Sequence, residues 1–123
     1  MTDEVLKVGS VVLGVEDVER AVRFWSDALD YCLRDEPDHT WAVLIPNRGQ
    51  GVQIALQLSE TPVQEHPRVH LDLYAEDQAT EVERLVSLGA RRVEWDLYPD
   101  GADFVVLADP DGNRFCVIDK RPE

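Results

Sequence analysis

Ser10-Val-Val-Leu-Gly-Val-Glu-Asp17 and His70-Leu-Asp-Leu-Tyr-Ala-Glu-Asp77 are one phrase written twice, 60 residues apart. Each alternates in character, reaches a Glu-Asp pair and then switches to helical spacing, the pattern of a strand feeding a helix. The offset persists beyond the phrase, since Val22 matches Val82 and Trp25 matches Leu85 without a gap. A duplicated strand-to-helix unit predicts two like half-domains around one shared cavity. Ser10 and His70, which differ at the same place in the repeat, are then expected to face each other across it.

Working outward from the first copy, residues 5–15 read as a strand with Val11, Leu13 and Val15 on one face and Ser10, Val12 and Gly14 on the other. Asp17 suits a helix N-cap, and Val18, Val22, Trp25 and Leu29 recur at helical spacing as the core stripe. Asp30 stands where a helix ends in the left-handed conformation, which Asp tolerates better than most residues. Three strands follow, at 31–34, 41–45 and 52–58, parted by Asp35-Glu-Pro-Asp38 and Pro46-Asn-Arg-Gly-Gln-Gly51. In the last of them Gln53, Ala55 and Gln57 form a polar face that must look at solvent or at a cavity.

The second half repeats this order after a linker at 59–67 that contains two prolines. Val69, Leu71 and Leu73 alternate with Arg68, His70, Asp72 and Tyr74. A helix from Asp77 to Leu88 uses Val82, Leu85 and Val86 and stops at Gly89. Strands are expected at 91–95, 103–107 and 114–118, the last two joined by Ala108-Asp-Pro-Asp-Gly-Asn113. The fold class is α+β, one domain over 1–123 built from two tandem βαβββ modules, at about 5–58 and 68–119.

Twelve basic against 25 acidic residues give a net charge of −13, which excludes a phosphate-tracking surface and so a nucleic-acid partner. Such acidity is compatible with a cationic ligand, although carboxylates scattered from Asp3 to Glu123 are the ordinary signature of a soluble surface. Cys32 and Cys116 lack the spacing of a zinc clip or redox pair. No apolar run has the length of a membrane span, and no leader-like segment opens the chain. A reduced, cytoplasmic protein without a membrane partner is expected.

Beyond these patterns, the chain resembles the vicinal oxygen chelate (VOC) superfamily of glyoxalases, bleomycin-resistance proteins and extradiol dioxygenases. The residues that carry the resemblance are Val15-Glu-Asp17, Ala21-Val-Arg-Phe-Trp25, Leu29-Asp-Tyr31, His70-Leu-Asp-Leu73, Leu88-Gly-Ala90 and Asp109-Pro-Asp-Gly-Asn-Arg-Phe-Cys116. The resemblance implies a curved, barrel-like mixed sheet with helices outside, and a homodimer. It also implies metal ligands from the first and last strand of each half, and those places hold Ser10, Gln57, His70 and Cys116. Only His70 keeps the expected type. A hydroxyl, an amide and a thiol are poor replacements for imidazole and carboxylate around a hard divalent ion, so no cofactor is expected. A zinc site made by His70, Cys116 and Asp72 is the alternative.

Three functions compete. One is a bleomycin-resistance-like binding protein that holds a small organic ligand in the cup between modules. The second is a metal-dependent lyase, isomerase or dioxygenase of glyoxalase type, lactoylglutathione lyase-like. The third is metal-free proton transfer, with His70 and Asp72 as catalytic residues on one strand face. The expected ligand-binding set is Ser10, Trp41, Gln53, Gln57, His70, Tyr74, Trp95, Tyr98, Phe104 and Cys116. The aromatics in it suit a flat or glycosylated molecule, and residues 95–101 read as a lid over it. Cys116 as a nucleophile lacks a dedicated activating partner and reads better as a small buried residue. His39 and His66 are expected at the surface.

Overall fold

A computed structural model describes residues 5–122. They divide between Glu60 and Thr61 into two compact units.

The first unit runs β1 (Val11–Val15), α1 (Val18–Leu29), β2 (Tyr31–Leu33), β3 (Trp41–Pro46) and β4 (Ile54–Leu58). Its sheet has the order β1-β4-β3-β2, with β1 parallel to β4 and the other pairs antiparallel. Asp17 caps α1 by accepting the Arg20 N–H at 3.1 Å. At the other end Asp30 turns left-handed with φ 57°. Its carboxylate takes bonds from Asn47 and Arg48, which hold its pKa below the usual value in that order of weight.

The buried face of α1 is Val18, Ala21, Phe24, Trp25 and Ala28, with Phe24 and Trp25 edge to face at 5.0 Å. Val22 and Leu29, expected at the centre of that stripe, are only half-buried. The helix turns its two alanines and Phe24 inward instead. The polar face expected on β4 is also reduced. Ile54, Ala55 and Leu56 are all buried, because a strand with a neighbour on each side is covered more fully than alternation alone implies.

The second unit repeats the wiring with β5 (Asp72–Ala75), α2 (Gln78–Leu88), β6 (Arg91–Arg92), β7 (Phe104–Ala108) and β8 (Arg114–Asp119). The sheet order is β5-β8-β7-β6, and β5 and β8 are the parallel pair. Asp77 caps α2 through Thr80, and Gly89 ends it at φ 126°. One side chain ties the layers together: the Gln78 amide donates to the carbonyls of Asp103 and Val117 at 3.0 and 2.9 Å.

Several expected elements are shorter in the structure. The expected strand at 5–15 holds its ladder only from Val11, and that at 68–74 only from Asp72, with Val69 81% exposed. Pairing needs a partner at the same height. β8 reaches back as far as Leu71, whose carbonyl accepts the Cys116 N–H at 2.9 Å, and the ladder between the two strands runs onward from Asp72. The strand expected at 91–95 shrinks to two residues. Val86 is exposed, since α2 rests chiefly on β8 and buries only Val82 and Leu85.

Candidate functional site

Strand register on the second sheet decides which side chains share a face. Asp72 pairs with Cys116, which pairs with Val106, and Tyr74 pairs with Ile118, which pairs with Phe104. Directly paired residues project to the same side, and residues two apart do so as well. Asp72, Tyr74, Phe104, Val106, Arg114, Cys116 and Ile118 therefore form one continuous face, with His70 ahead of Asp72 at the same parity. That face lines a pocket of about 510 Å³, to which Trp95, Leu97 and Lys120 add their side chains.

Two environments meet in this pocket. Toward one side, Tyr74, Phe104 and Ile118 give an apolar wall, and the Lys120 ammonium lies 4.7 Å from the centre of the Tyr74 ring. At the middle, His70 Nε2 lies 2.9 Å from Asp72 Oδ1, with both side chains about half exposed. Cys116, 8% exposed, lies beside them, and donor atoms of His70, Asp72 and Cys116 fall within 4.8 Å of one another. Burial first, then the Asp72 charge and its hydrogen bond, push the Cys116 thiol up to about 11. Cys116 is thus a protonated thiol at neutral pH.

Tyr98 serves the scaffold, because its hydroxyl accepts the Val106 N–H at 2.8 Å and its ring packs against Phe104 at 5.3 Å. The segment expected as a lid is therefore pinned to β7 at Tyr98. His66, expected as an ordinary surface residue, pairs with Asp96 at 3.0 Å and lies 4.9 Å from the Trp95 ring. In the first unit Trp41 is 41% exposed at the start of β3, and Gln57 is exposed on β4 opposite it. Gln53 accepts from Arg34 at 3.1 Å, and the Ser10 hydroxyl is buried with no hydrogen-bond partner among the described residues. The structure thus gathers His70, Asp72, Tyr74, Trp95, Phe104 and Cys116 at one place. Ser10, Trp41, Gln53 and Gln57 belong to the other unit.

Sequence reasoning passed over Arg114, Lys120, Val106 and Ile118, which also line the pocket. The signal was present for three of them. Arg114, Ile118 and Lys120 share the two-residue parity of Cys116 along the final strand.

Residues 10–118 match the family model described as a glyoxalase-like domain. The chain belongs to that family. No curated protein matches the glyoxalase-like chain. Solved structures that resemble it include a fosfomycin resistance protein from Listeria monocytogenes, in complex with Mn(II) and 1S,2S-dihydroxypropylphosphonic acid. Its TM-score is 0.74 at 15% identity, over 96% of this chain and 93% of that one. A glyoxalase-related enzyme from Fulvimarina pelagi gives 0.67 at 20% identity, over 93% and 88%. A member of the glyoxalase/bleomycin resistance protein/dioxygenase superfamily from Sphaerobacter thermophilus gives 0.63 at 22%, over 93% and 97%. These likenesses establish the glyoxalase/bleomycin-resistance fold.

The donors of this glyoxalase-like chain do not fit the hard divalent ion that its superfamily implies. A hydroxyl, an amide and a thiol stand at three of the four places given by the resemblance.

Proposed function

We propose that this protein binds a small organic molecule with a flat, apolar body in the pocket of its second module, without a tightly held metal ion. The observation that supports this most is the lining. A wall of Tyr74, Phe104, Val106, Ile118, Leu97 and Trp95 surrounds a few convergent polar groups, the composition typical of a small-molecule site. The hydroxyl and the amide at two of the four places given by the resemblance support the metal-free part of the reading. The Listeria protein holds a small phosphonic acid on the same fold, together with Mn(II), which is consistent with the small-molecule part of the reading.

The test is a thermal-shift screen of aromatic and glycosylated compounds with and without EDTA. A ligand at about 100 times its Kd stabilises the fold by roughly 2.7 kcal/mol, a shift of several degrees. True ligands are expected to keep that shift in EDTA and to lose at least tenfold in affinity in the Tyr74→Ala variant. Tyr74 is 47% exposed, so its removal leaves the core intact. Stabilisation abolished by EDTA, or unaffected by Tyr74→Ala for every hit, defeats the proposal.

A second reading is favoured by the 2.9 Å contact between His70 and Asp72. A carboxylate that orients an imidazole is the ordinary arrangement for moving a proton. On this reading His70 exchanges the proton with substrate and Asp72 fixes the ring. Asp72→Asn is then expected to lower kcat by about a hundredfold or more, the usual worth of a positioned acid or base. Unchanged turnover on an identified substrate would eliminate that role.

A further inference from the structure

Arg114 combines a buried, unsatisfied donor with the absence of an ion-pair partner among the described residues. Arg114 donates from Nη1 to the Gly112 carbonyl at 3.0 Å, yet its Nε is buried with no hydrogen-bond partner, and no carboxylate among the described residues forms an ion pair with it. A buried guanidinium donor normally finds an acceptor, because leaving it unsatisfied costs about 1–3 kcal/mol. Arg114 is also the one charged side chain shared by two adjoining hollows. It lines the aromatic pocket together with Cys116, and it lines a second, more polar groove with Arg91 and Arg92.

The register explains why these cations converge. Arg114 pairs with Ala108 and Ala108 with Arg91, so Arg91 and Arg114 project from the same side of the sheet across one small residue. Two strand spacings put their backbones about 10 Å apart, a gap that two long side chains can close around one oxyanion. The acidic groups nearby are partly engaged: Asp96 is paired with His66, and Asp72 with His70. Glu65 and Glu94 also line the outer groove.

We propose that Arg114, assisted by Arg91, recognises a carboxylate or phosphate on a ligand whose aromatic body lies against Tyr74, Phe104 and Trp95. This rests on the pocket reading given above and adds the charge class of the ligand. It is opposite in sign to what the net charge of −13 suggests. The guanidinium fork suits either oxyanion because its N–H groups can meet two oxygens at once.

Matched probes test it: 2-naphthoate and 2-naphthyl phosphate against uncharged 2-naphthamide, followed by calorimetry and by the Arg114 Nε–H signal in a nitrogen-edited NMR spectrum. The wild-type protein is expected to prefer at least one anion over the amide by tenfold or more, and that anion alone to shift the Arg114 signal. The R114Q variant should lose the preference while keeping the amide affinity. R114K, which retains charge without the fork, should keep part of it. Equal binding of all three probes to the wild type overturns the anion assignment and leaves the pocket reading standing. A preference that survives in R114Q overturns the role of Arg114. Failure of all three to bind at millimolar concentration removes the pocket reading and this inference with it.

Discussion

Asp109→Ala will destabilise the protein by about 3 kcal/mol or more, lowering its melting temperature by roughly 10 °C, while Asp109→Asn will lose far less. Asp109 is fully buried, and its Oδ1 accepts the N–H groups of Asp111 and Asn113 at 3.0 and 2.9 Å. Two backbone donors inside a closed turn lose this acceptor if the side chain is truncated, and a buried donor left unsatisfied costs about 1–3 kcal/mol. Asparagine retains one oxygen in the same position, so it preserves the geometry at reduced strength. The turn also sets the start of β8, and Arg114 and Cys116 take their places from it. Calorimetric unfolding of both variants checks the claim, and equal melting temperatures for wild type and Asp109→Ala would refute it.

A second large effect concerns the thiols. In the folded protein at pH 8, one of the two cysteines, Cys32, will react with Ellman's reagent, whereas both will react in guanidinium. Cys32 is exposed on β2 and Cys116 is buried on β8. With its thiol pushed up to about 11, Cys116 is thiolate in only about one molecule in a thousand at pH 8, and the thiolate is the reacting form. Burial slows the reagent further. The same shift fixes the sign of an alkaline effect. The protonated thiol is the form the fold favours, so its contribution is complete below the ordinary value of 9.0 and disappears as pH rises through about 11. Two fast-reacting thiols in the native state would contradict the account.

Much of this architecture is legible in the chain because it is local. The caps at Asp17 and Asp77, the left-handed Asp30, the stop at Gly89 and the turn at 108–113 depend on a few neighbouring residues, and each lies where its chemistry predicts. Strand ends are less legible. Alternation across 68–71 is as good as in the paired segment that follows, but a ladder ends where its partner ends, and the partner is distant in sequence. The helix faces depart from expectation for a related reason. Val22 and Val86 have the right character, but which flank of a helix meets the sheet depends on small residues such as Ala21 and Ala28 that hydrophobicity ranks low.

The site divides in the same way. His70, Asp72 and Cys116 are readable from parity within their own strands, and the structure brings their donor atoms together. Arg114 shares the parity of Cys116, but nothing in its own segment marks it as unsatisfied. Its interest lies in an unsatisfied Nε, a property of everything around it rather than of its own segment. Tyr98 misleads for the opposite reason: an aromatic ring beside a pocket looks like a contact for ligand until its hydroxyl is found occupied by the Val106 amide.

The two-residue alternation along β8 has a consequence for how such a protein can change over generations. Val117 belongs to the packed interior, as does most of Phe115, which only touches the hollow, while Arg114, Cys116 and Ile118 line it. Adjacent codons thus serve separate masters, and substitutions at the even-numbered ones can retune what is recognised while the odd-numbered ones hold the scaffold still. A lineage built on this strand can diversify its chemistry one letter at a time without passing through an unfolded ancestor.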